Sequence, residues 1–125
     1  MARNAGQAAT PLPPASKQDL NDAYADLLDH LNEAYWAAGT REAKERIKRM
    51  IDAVTDAVTA LDAADLTARD AAYTALNTKV VAVNGQLQTL QKEINGIVSK
   101  INAAKAIVED ITKVISVAAK VCPAI

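Results

Sequence analysis

From Tyr73 to Cys122 the apolar residues keep strict time. Tyr73, Leu76, Val80, Val83, Leu87, Leu90, Ile94, Ile97, Ile101, Ala104, Val108, Ile111, Ile115, Ala118 and Cys122 follow at alternating steps of three and four. With apolar residues making up 50% of the chain, filling fifteen set positions by chance has odds of roughly one in thirty thousand, so the pattern carries structural information. A seven-residue repeat keeps one face aligned only if a helix runs on through Asn84-Gly85 and Asn95-Gly96 and supercoils left-handed around other helices. Each internal glycine costs about 1 kcal/mol relative to alanine, a modest sum against so long a stripe. The spacing therefore predicts one helix over about 68–121, some 75 to 80 Å long, which cannot stand alone in water.

The preceding chain is helical too. Ser16 and Asp19 form a capping pair, after which Leu20, Tyr24, Leu27, Leu31, Ala34 and Ala38 recur at helical spacing, predicting a helix over about 17–38. Gly39 suits a left-handed helix end and Thr40 suits a cap. Ala43, Ile47, Ile51, Val54, Val58 and Leu61 then mark a helix over about 41–63. Asp65, or Thr67 with Asp70, caps the third segment. Residues 1–15, rich in Ala, Pro and small polar types, read as a flexible or extended arm, and 16–125 as one helical domain. The expected fold is all-α: an elongated antiparallel bundle or coiled-coil hairpin with a very long C-terminal helix. The alternative is a compact up-and-down four-helix bundle broken near Asn95-Gly96.

Composition narrows the chemistry. A net charge of −1, from 14 basic and 15 acidic residues, gives the molecule no general bias toward nucleic acid or anionic lipid, so any such binding needs a local patch. The single cysteine, Cys122, excludes an internal disulfide and a multi-cysteine metal site. "MARNAGQAATPLPPAS" lacks the apolar run of a secretory signal, and no stretch is long and apolar enough for a spanning helix. A cytoplasmic location is the expectation, leaderless export aside.

Each cluster that could carry chemistry also has a structural reading. Asp19, Asp22, Asp26, Asp29 and Glu33 form a carboxylate stripe on the first helix, but His30 is the only histidine. The Glu-His pairs of a di-iron bundle cannot be assembled, and no metal or other cofactor is expected. "REAKERIKR" holds Arg41, Lys44, Arg46, Lys48 and Arg49, with Glu42 and Glu45 interleaved. Without an aromatic or glycine-rich companion it points to ion pairing with an acidic surface such as the first helix, and nucleic acid is not expected. Tyr35-Trp36 is the one aromatic cluster. It either plugs the end of a bundle or, if Trp36 is exposed at a tip, anchors a partner or a membrane interface. The last segment is apolar on more than one face, since Val114, Val117 and Val121 add to Ile111, Ile115 and Ala118, so it requires burial in this bundle, in a partner or at a lipid interface. Cys122, fourth from the end, matches a prenylation signal poorly, and Pro123 reads as a helix terminator. One His, one Cys, no phosphate loop and no nucleophile elbow leave no catalytic constellation, so an enzyme is not expected.

These features point to a non-catalytic structural or adaptor protein that binds a protein partner, or copies of itself, along the apolar stripe. The seam residues would be Ile97, Ile101, Val108, Ile111, Ile115 and Ala118, with Trp36 as a further contact. Two other readings remain open: a membrane-active helical protein similar to the α-helical components of pore-forming toxins, and a small helical inhibitor or immunity-type protein using the acidic stripe.

Overall fold

The computed structural model describes residues 17–64 and 71–121. Four helices occupy them: α1 (Lys17–Ala37), α2 (Arg41–Ala63), α3 (Ala71–Ile97) and α4 (Ile101–Val121). Each packs antiparallel on the next in chain order, and α1 closes the ring against α4. The fold is an all-α, up-and-down four-helix bundle. The N-terminal arm, the capping residues Ser16, Asp65, Thr67 and Asp70, and Cys122 and Pro123 lie outside the described residues.

Chain direction can be read from the contacts. Lys17 Nζ, at the start of α1, donates to the carbonyls of Asp62 and Ala64 (3.0 and 2.8 Å), where α2 ends and carbonyls lack helical partners. Lys79 near the start of α3 pairs with Asp56 near the end of α2 at 2.7 Å. Gln91 Nε2 reaches from α3 to the Val108 carbonyl and Thr112 Oγ1 of α4, at 3.1 and 3.0 Å.

The helix boundaries have local causes. Thr40 has extended backbone angles and its Oγ1 accepts from the Ala43 N–H at 3.1 Å, capping α2 as the sequence predicts. Gly39 does not enter the left-handed region; the α1 end is closed by the Ala38 N–H donating to the Tyr35 carbonyl. In α3 the stripe Tyr73, Leu76, Val80, Val83, Leu87, Leu90 and Ile94 is buried throughout, and the helix passes uninterrupted through Asn84-Gly85.

The very long C-terminal helix does not form. The chain turns at Val98-Ser99-Lys100, starting two residues after Gly96 and so close to the break of the alternative reading, and the expected 68–121 rod becomes two antiparallel helices. The last α3 bond runs from the Val98 N–H to the Ile94 carbonyl, and the first of α4 from the Ala104 N–H to the Lys100 carbonyl. The reason is cover. Helices of 21 and 23 residues cannot shield a rod of about 75 Å, whereas folding back buries Ile107, Ile111, Val114 and Ala118 completely, each large side chain contributing roughly 1.5–3 kcal/mol. The reversal also changes the phase of α4. Its core face is Ala104, Ile107, Ile111, Val114, Ala118 and Val121, which shares only Ala104, Ile111 and Ala118 with the stripe traced from Tyr73.

Candidate binding end of the bundle

The turn places two connections, 38–40 and 98–100, at the same end of the bundle. A small hollow there is lined by Ala34, Ala37 and Ala38 on one side and by Val98, Ser99, Lys100 and Ala103 on the other. Val98 folds inward and is buried. The residues flanking the hollow face outward: Trp36 is 75% exposed and Ile101 is 81% exposed. Among the described residues the only other exposed large apolar side chain is Val81, well along α3 from this end.

The aromatic cluster is ordered by a lysine. Tyr35 and Trp36 meet edge to face with ring centres 5.2 Å apart, a favoured aromatic geometry. Lys44 Nζ, one turn into α2, donates to the Tyr35 carbonyl at 3.0 Å and lies 4.7 Å from the Tyr35 ring centre and 5.5 Å from that of Trp36, within cation–π range. Trp36 is thus presented from a fixed base. Beside it an open cleft is lined by Tyr35, Arg41, Lys44, Glu45, Lys48 and Arg49.

The basic run does not pair with the acidic stripe of α1 in the expected way. Arg46 forms an ion pair with Glu93 of α3, and Lys48 lies 3.4 Å from Asp52 on its own helix. Asp19, Asp22, Asp26, Asp29 and Glu33 are all exposed. No group of three or more candidate metal ligands occurs among the described residues. His30 has a different role: its Nδ1–H donates to Asp110, tying α1 to α4 across 80 residues of sequence. This hydrogen bond raises the imidazole pKa above its usual 6.5; the charges of Asp110, Glu33 and Asp26 act in the same direction, and partial burial opposes them.

The expected contact residues separate into three groups. Ile111 and Ala118, expected on an association seam, are fully buried in the chain's own core. Ile97, Val108 and Ile115 are partly buried and pack against that core. Trp36 and Ile101 are exposed, and the fold brings them to one end. What the sequence does not signal is that they belong together, nor that Lys100 accompanies them. The α3–α4 side holds a second unsignalled feature: Asn84 is 9% exposed and its Oδ1 has no hydrogen-bonding partner in the protein.

The fold and its surface thus define a helical bundle with one apolar-tipped, cation-rich end. Comparisons with family models, with curated proteins and with solved structures give no match. No helix among the described residues is long and apolar enough to cross a membrane.

Proposed function

We propose that this chain is a non-catalytic adaptor that acts in the cytoplasm, and that its contact surface is the bundle end carrying Trp36 and Ile101. The observation that carries the reading is the joint exposure of these two side chains in a bundle where, among the described residues, the other large apolar side chains, Val81 apart, are buried or packed on the core. Tryptophan is among the residues most enriched at binding hot spots, because it offers a large apolar body at small entropic cost. Of the seam expected from the sequence the contact uses Ile101 alone, since Ile111 and Ala118 are occupied inside the bundle.

Photo-crosslinking tests this directly. A benzophenone amino acid replaces Trp36 or Ile101 in the full chain, with Thr59, exposed near the opposite end of α2, as the control. Adducts in the native host formed from positions 36 and 101 and not from 59 are the expected result. Equal labelling from all three positions refutes a specialised end.

A further inference from the structure

We infer that the Trp36–Ile101 end docks on a bilayer surface bearing anionic phospholipid headgroups, without spanning it. The inference rests on the binding end proposed above and assigns its partner. Charge is the first argument. Residues 30–49 and 90–108, which make up this end, contain eight basic and four acidic residues, whereas the described residues of the opposite end (17–24, 56–64, 71–78 and 114–121) contain two basic and four acidic. The molecule is polarised although its net charge is only −1. Docked end-on, it holds its acidic pole roughly 30 Å away along a 21-residue helix. Salt screens over about 8–10 Å, so the near end alone decides the attraction.

The arrangement of side chains is the second argument. Trp36 and Ile101 project from adjacent helix ends; Lys44 lies over the Trp36 ring, Lys100 precedes Ile101 in the chain, and Arg41 lines the neighbouring cleft with Tyr35 and Lys44. An apolar tip ringed by cations matches a lipid interface, where tryptophan settles at headgroup level and long basic side chains reach the phosphates. A nucleic-acid backbone offers nothing for Trp36 and Ile101 to enter. A stable protein interface takes about 800 Å² and 20–30 residues per partner, so a protein partner would have to draw on much surface beyond Trp36 and Ile101. A lipid surface needs no such area, because each Lys or Arg near an anionic leaflet contributes about 1 kcal/mol of attraction. The neighbouring acids Glu33, Glu42 and Glu45 reduce that attraction without reversing it.

Trp36 is the only tryptophan, so its fluorescence reports the tip alone. The full chain is titrated with vesicles of phosphatidylcholine and with vesicles containing phosphatidylglycerol as well, at low and high salt. The expected result is a shift of Trp36 emission to shorter wavelength and co-sedimentation with the anionic vesicles, both reversed by salt. Ile101→Ser and Arg41→Glu/Arg49→Glu each lower partitioning, the charge reversal by about tenfold or more, while Val81→Ser leaves it unchanged. Circular dichroism checks that these surface variants keep the fold. Unshifted emission with anionic vesicles, equal binding to neutral ones, or undiminished binding by the charge-reversed variant overturns the inference. If vesicles fail while crosslinks from positions 36 and 101 go to protein, the lipid assignment falls and the binding end stands; if both fail, both fall.

Discussion

Ile101 and Ile111 sit on the same apolar stripe in the sequence and on opposite sides of the molecule's inside–outside divide. Replacing each with alanine separates a folded-back bundle from a rod. Ile111 is fully buried against the core of a closed bundle, so truncation removes the transfer energy of the lost carbons and leaves a cavity, costing about 2–5 kcal/mol. For a chain of this size 1 kcal/mol corresponds to roughly 3–5 °C in Tm, so Ile111→Ala lowers Tm by something on the order of 10 °C. Ile101, 81% exposed on the first residue of α4, loses little, and alanine is the better helix former; its variant stays within about 0.5 kcal/mol of the parent. Urea titrations followed at 222 nm measure both midpoints, repeated over a tenfold concentration range. Equal losses at the two positions, or losses that grow on dilution, would refute the reasoning, because a rod burying its stripe on another chain uses both residues alike.

Other consequences follow from individual side chains. Gly85 lies within α3 with helical neighbours on both sides and open space where a Cβ would go, so Gly85→Ala raises stability by up to about 1 kcal/mol; a drop in the urea midpoint would mean the chain bends there. Asn84→Leu removes a buried carbonyl oxygen without a protein partner and raises stability by about 1–2 kcal/mol, with a lowered midpoint as the contrary result. His30 faces Asp110 from α4 and Asp26 and Glu33 from its own helix, and its pKa is raised in the folded chain. Its contribution is therefore fully present below about pH 6.5 and lost as pH climbs through the folded value. Since its side chain is 39% exposed, the loss between pH 6 and 9 stays under about 1 kcal/mol; an unchanged pH slope in Asp110→Asn would contradict this.

Much of the bundle is legible in the sequence because local rules and tertiary packing agree. Thr40 caps where its hydroxyl predicts, α2 spans 41–63 as read, and the α3 stripe from Tyr73 to Ile94 runs through Gly85 into the core. The turn at 98–100 is legible only as the alternative, a four-helix bundle broken near Asn95-Gly96, and its place just beyond that pair is not. Val98-Ser99-Lys100 carries no glycine, proline or asparagine, and the Asn95-Gly96 pair that would advertise a break is absorbed into the last turn of α3. Because α4 is apolar on two overlapping faces that share Ala104, Ile111 and Ala118, periodicity alone continues the wrong phase, and only the partner helix α1 selects the face with Ile107 and Val114. The binding end inherits this ambiguity. Trp36 stands out in sequence, but its companionship with Ile101 exists only once the chain has reversed, and the His30–Asp110 pair spans 80 positions with no local signature.

Everything proposed for the Trp36–Ile101 end requires that reversal, and a single distance tests it. Ala82 and Ala119 are exposed on α3 and α4 and lie level with each other in the register set by Gln91 and Thr112. Spin labels at these two sites, with Cys122 replaced by serine, are measured by double electron–electron resonance. Antiparallel neighbours with axes about 8–10 Å apart place the labels within roughly 25 Å of each other. A distribution centred near 55 Å, the length of 37 residues of unbroken helix at about 1.5 Å each, would contradict it.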